Sequence, residues 1–175
     1  NKGVKGGAGG GIIYLDAYWL TVEGTISADG NRGYDDYGGS GGGSGGSIII
    51  DTYSIEGTGT IRADGGLGGP SGWYGDGGGG AGGRIRLSKR FGSVHAYGGS
   101  GQEYGGPGTV YFDLPYPETA ELIMDNHGNQ GEVGGIIESE VPDISDLEMI
   151  ILLGYGHLRA AGAASTFQLA QDQLI

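Results

Sequence analysis

Apolar residues recur two apart along the first two thirds of this chain. Ile13/Leu15, Ile48/Ile50, Ile85/Leu87 and Val110/Phe112 each show the period of a strand with one buried face, while neighbours such as Arg84, Arg86 and Ser88 point the other way. A second short strand is predicted around Leu20 and Val22, or Ile55, and a third around Ile26 and Ala28, or Ile61 and Ala63. Gly24 and Gly57/Gly59 separate them as corners, where glycine tolerates unusual backbone angles.

Sliding the chain by 35 positions lays Gly24-Thr25-Ile26-Ser27-Ala28-Asp29-Gly30 on Gly59-Thr60-Ile61-Arg62-Ala63-Asp64-Gly65, with six of seven residues identical. At the same offset Tyr18 falls on Tyr53, Asp16 on Asp51 and Ile13 on Ile48. A shorter third copy runs from Ile85 to Gly98. A fourth starts at Val110 and is interrupted by Pro115 and Pro117. Self-similarity at such a period marks stacked supersecondary units. The expectation is an all-β fold, a right-handed parallel β-solenoid with three short strands per turn. In it the eight apolar residues above form one inner ladder, and Ala28, Ala63 and Ala96 share one narrow position.

The rest of each copy is a glycine-rich stretch: 30–46, 65–83 and 98–108. All three join the last strand of one copy to the first strand of the next, so as insertions they emerge on one side of the solenoid, where repeat proteins often bind. Glycine makes up 44 of 175 residues, in phase with the repeat, which argues for order rather than low complexity. The stretches are either flexible linkers or extended polyglycine segments stacked through backbone hydrogen bonds.

The composition divides the chain in two. Residues 1–114 carry 37 of the glycines and a net charge of −3; residues 115–175 carry 7 glycines and −9. The second part keeps its apolar alternation and is expected to continue the solenoid without glycine insertions, with a short-helix pattern at 164–174. A chain that opens on Asn1 and stops at Leu174-Ile175 has the look of a stretch of a longer protein. Nine basic against 21 acidic residues argue against a nucleic-acid partner. The absence of cysteine excludes disulfides and thiolate sites. The longest aliphatic run, Met149–Leu153, is too short to span a bilayer as a helix.

The string Gly-Gly-Ser-Ile-Ile-Ile-Asp at 45–51, followed by Gly-Thr-Gly-Thr-Ile-Arg-Ala-Asp-Gly-Gly at 57–66, resembles the glycine-rich β-helix repeats of very large cell-surface proteins. These include adhesins of the filamentous-haemagglutinin type and glycine-rich repeats of large eukaryotic surface proteins. The resemblance covers about residues 6–113. It implies an extracellular or cell-surface location, a non-enzymatic role in adhesion or scaffolding, and other segments of the same fibre or surface protein as partners. No catalytic residue carries over.

Candidate chemistry is sparse. The glycine spacings match dinucleotide fingerprints only because glycine is everywhere, and no Gly-Lys-Ser/Thr follows. His95, His127 and His157 lie at no metal-ligand spacing. Calcium is the one cofactor the acids suit: Asp35, Asp36 and Asp76, with Asp29 and Asp64 nearby, lie in or beside the loops as hard oxygen donors, or else simply form turns. Tyr34, Tyr37, Trp73, Tyr74 and Tyr104 bring aromatic rings to the glycine loops beside carboxylates. That combination suits a glycan or protein ligand, and equally suits rings that cover the glycine.

Overall fold

The computed structural model describes residues 5–34, 38–71, 75–115, 118, 120–131, 136–137, 147–154 and 159–160. Among them are eleven strands: β1 Ile12–Thr21, β2 Thr25–Ser27, β3 Ser47–Glu56, β4 Thr60–Arg62, β5 Arg84–Leu87, β6 Val94–His95, β7 Thr109–Phe112, β8 Ala120–Asp125, β9 Ile136–Ile137, β10 Leu147–Leu153 and β11 Arg159–Ala160. One sheet runs β1-β3-β5-β7-β8-β10, a second β2-β4-β6, and β9 pairs with β11.

The ladder register matches the repeat. Ile13 lies beside Ile48, Ile48 beside Ile85 and Ile85 beside Val110; Leu15, Ile50, Leu87 and Phe112 follow in the same way. Ile61 pairs with Ile26 on one side and Val94 on the other. The two sheets enclose one apolar core in which Ile48, Ile50 and Ile61 are fully buried, and Ala28, Ala63 and Ala96 occupy equivalent buried positions.

The solenoid expectation fails on three counts. First, the two strands predicted before each glycine corner are one: β1 and β3 run unbroken, and the buried phase of β1 slips by one residue at Tyr18-Trp19. Each copy therefore holds two strands, not three. Second, β8 joins β7 antiparallel, so the six-stranded sheet is mixed and residues after 115 do not continue a parallel coil. The physical reason is reach: the connection 113–119 is too short for the crossover that a parallel neighbour requires. Third, the glycine stretches are not insertions projecting to one side. The 164–174 helix pattern lies outside the described residues.

The stretches form a layer of extended chains. Their amides bond neighbouring chains at every third residue. Gly42 and Gly45 donate to Gly78 and Ala81; Gly43 and Gly46 donate to Asn31 and Ala28; Gly77, Gly80 and Gly83 donate to Gly69, Gly66 and Ala63. A three-residue repeat with no internal bonds is the geometry of an extended three-fold helix, whose amides and carbonyls all point sideways. Of the two alternatives open in the sequence, the stacked one is present.

Close approach explains the glycine. A Cβ on Gly80 would sit 2.0 Å from the Gly43 carbonyl oxygen, one on Gly43 2.0 Å from that of Ala8, and one on Gly105 1.9 Å from that of Gly80. None of these three has positive φ. What excludes a side chain is the neighbouring backbone. At the far end of the layer the buried Asn126 side chain stands in for a peptide group: its Oδ1 accepts from Gly98 N at 2.8 Å, and its Nδ2 donates to the carbonyls of Gly105 and Asn129.

The antiparallel strand is anchored by charge. Glu121 on β8, with a side chain 7% exposed, accepts two hydrogen bonds from the Arg90 guanidinium. Arg90 also lies over the Phe112 ring.

Gly80→Ala should destabilise by about 3 kcal/mol or more through overpacking against backbone that cannot move aside. Gly11→Ala, with nothing within 4 Å of the added carbon, should be near neutral; urea melts of both variants check this. Arg90→Ala should cost about 3 kcal/mol by stranding a buried carboxylate. By the same melts, Arg62→Ala should cost less, since the carboxylate it would strand, Asp29, is 24% exposed against 7% for Glu121.

Candidate functional site

Of the aromatic residues singled out in the loops, Tyr34 and Tyr104 are described. Tyr34 is 59% exposed; its carbonyl oxygen accepts from the Ser40 hydroxyl at 2.8 Å and sits 2.2 Å from where a Gly69 Cβ would be. Tyr104, 39% exposed, bridges Gly131 in parallel. Tyr37, Trp73 and Tyr74 lie outside the described residues, as do Asp35 and Asp36 of the calcium set. Asp76 accepts a hydrogen bond from Ser71 N at 2.9 Å, a turn-forming role.

Asp29 and Asp64 serve the stack. The Asp64 amide donates to Asp29 Oδ1 at 2.9 Å, and the Tyr97 amide donates to Asp64 Oδ1 at 2.8 Å, so each copy's carboxylate receives an amide of the next. Asp29 also pairs with Arg62, and Asp64 with His95 Nδ1 at 2.9 Å. His95 stacks on Tyr97, and Tyr97 packs against His127. No group of three or more metal-ligating side chains gathers among the described residues.

The aromatic–acidic combination does occur, but on the outer face of β1 and β3. Tyr18 and Tyr53 stack with centroids 4.7 Å apart and planes 10° from parallel, and Trp19 meets Tyr18 edge-on at 5.1 Å. All three rings are more than 60% exposed. Asp16, Asp51, Thr52 and Ser88 line a shallow groove beside the stacked pair. Arg86, between Ile49 on β3 and Tyr111 on β7, donates to Asp113 on the β7 side and to Asp51 at 2.9 Å on the β3 side, and these bonds, the one to Asp113 foremost, hold its guanidinium above the ordinary arginine value. Asp16 makes no corresponding pair among the described residues. Stacked rings bordered by carboxylates and hydroxyls offer a flat apolar plate with hydrogen-bond acceptors at its rim.

This surface was missed because it lies on the strands rather than the loops. The repeat alignment already sets Tyr18 on Tyr53 and Asp16 on Asp51, which implies stacked rings and adjacent carboxylates. Tyr18 shares the outward phase of Tyr14 and Asp16, and the slip that brings Trp19 outward beside it shows in the sequence only as the change of phase from Ile13/Leu15 to Leu20/Val22. No protein family, curated protein or solved structure matches this chain.

The Tyr97 hydroxyl is pushed above the usual tyrosine range, first by burial and then by the carboxylates of Asp125 and Asp64. The folded state thus holds that proton more tightly than the unfolded chain does. Its contribution is complete below about pH 10 and is lost as pH rises through the raised value. Urea midpoints measured from about pH 8 to 11 should fall less steeply for Tyr97→Phe than for the parent chain.

Proposed function

We propose that this chain is a non-enzymatic structural and adhesive module of a larger extracellular surface or fibrous protein. The observation that carries the reading is the glycine layer. Chains cross-bonded at every third residue, too close for a Cβ at most of their glycines, resist shear in a way that a loop-rich surface does not. Such a layer suits a part that must hold a shape and display a face. The location rests on the likeness of the repeat to surface-protein repeats.

The adhesive part of the proposal is supported by the exposed Tyr18–Tyr53 stack beside Asp16 and Asp51, which suits the face of a sugar ring with its hydroxyls on the carboxylates. Two measurements test the proposal. Amides of Gly43, Gly66 and Gly80 should exchange with solvent as slowly as those of β3; exchange at linker rates removes the scaffold reading. On a glycan array, Tyr18→Ala with Tyr53→Ala should abolish any signal of the parent chain while shifting its melting temperature only slightly. A signal that survives the double change removes this face as the adhesive one.

A further inference from the structure

Strand β1 ends its sheet, and no strand lies on its other edge among the described residues. Its face is a copy of one already occupied within the molecule. Ser47 donates to the Gly11 carbonyl and stands opposite Ile12, so in a parallel ladder its own groups flank Ile12. The amide and carbonyl of Ile12 therefore point away from β3, and by alternation those of Tyr14 and Asp16 do too. Inward of that edge, Ile13 and Leu15 are only partly buried, whereas Ile48 and Ile50, their counterparts one copy on, are fully buried between β1 and β5.

The glycine layer finishes differently at this end. The positions that must be glycine in the next copy, Gly43, Gly66 and Gly69, are occupied here by Ala8, Asn31 and Tyr34, all exposed. Each carries a side chain where a further glycine chain would have to approach within contact of the backbone. Another complete repeat does not fit; a lone strand does.

We propose that the free edge of β1 binds an extended segment of another polypeptide with alternating apolar and basic residues, added as a further strand. The internal interface shows the chemistry. β5, Arg-Ile-Arg-Leu, lies on the matching edge of β7 with Ile85 beside Val110, Leu87 beside Phe112, and Arg86 opposite Tyr111, from where it reaches Asp113. β1 repeats that template: Ile13 and Leu15 take the apolar residues, and a basic residue opposite Tyr14 reaches the unpaired Asp16 across the ring. This inference is independent of the adhesive reading.

The probe is a synthetic peptide of residues 82–91, Gly-Gly-Arg-Ile-Arg-Leu-Ser-Lys-Arg-Phe. Titrated into the full chain, it should bind saturably and slow hydrogen exchange at the Ile12, Tyr14 and Asp16 amides. Tyr14→Pro removes an outward amide and no bond to β3, so it should abolish binding and leave the far-UV spectrum unchanged. Asp16→Lys, which alters only an exposed side chain, should weaken the peptide about fivefold or more. It should also favour the same peptide carrying Arg86→Glu, a charge swap that tests the site even if the proline variant fails to fold. Absence of binding, equal binding to Asp16→Lys with no charge-swap preference, or protection elsewhere than β1 overturns the proposal. A parent chain that dimerises through β1, and becomes monomeric as Tyr14→Pro, also overturns it by making a second copy the occupant.

Discussion

The approach of one glycine backbone onto the next is the constraint on which this structure depends. Where a carbonyl oxygen lies about 2 Å from the place a Cβ would occupy, as at Gly43, Gly80 and Gly105, the two chains have reached the closest separation a peptide allows. At that separation every third amide finds a carbonyl on a neighbouring chain, and where the chains run out, at Gly98, the Asn126 side chain supplies the acceptor. The strands then inherit their spacing from the layer. Each glycine chain delivers β3, β5 or β7 one strand further along the sheet, so the apolar ladders and the glycine layer advance together.

The two ends of this stack are finished by different means. Beyond β7 a short connection turns the chain back, Arg90 neutralises the buried Glu121, and the amide of Asn126 completes the hydrogen bonds that another glycine chain would have made. At the β1 end, Ala8, Asn31 and Tyr34 put side chains over the layer, but no strand among the described residues covers β1. The asymmetry lies in the sheet alone, and a half-covered Ile13–Leu15 pair marks it. The carboxylate ladder from Asp29 through Asp64 to Tyr97 ties the same copies together along the opposite side.

Much of this was legible in the residues. The 35-residue offset set the pairing of Ile13 with Ile48 and of Ala28 with Ala63, because burial repeats with the side chains that need it. The offset says nothing of which backbone shape joins two such strands. Glycine leaves no side-chain period to read, so a flexible loop and a hydrogen-bonded layer look alike until the distances are known. The direction of β8 was hidden for another reason: apolar alternation is the same whichever way a strand runs, and only the length of the 113–119 connection decides it. Candidate binding residues stood out in the loops, where aromatic rings amid glycine called for an explanation. Tyr18 and Tyr53 passed as ordinary strand residues, although their equal phase in two copies is what stacks them.

A layer with so few side chains has little apolar surface to expose when it unfolds. What it does expose is peptide, whose hydration lowers the heat capacity instead of raising it. The heat-capacity increment of this chain should therefore be small for its length, and the curve of stability against temperature broad and shallow. Cooling weakens apolar burial, but it takes little from a structure held so largely by peptide hydrogen bonds. The composition that makes the chain look unstructured thus also flattens its response to cold.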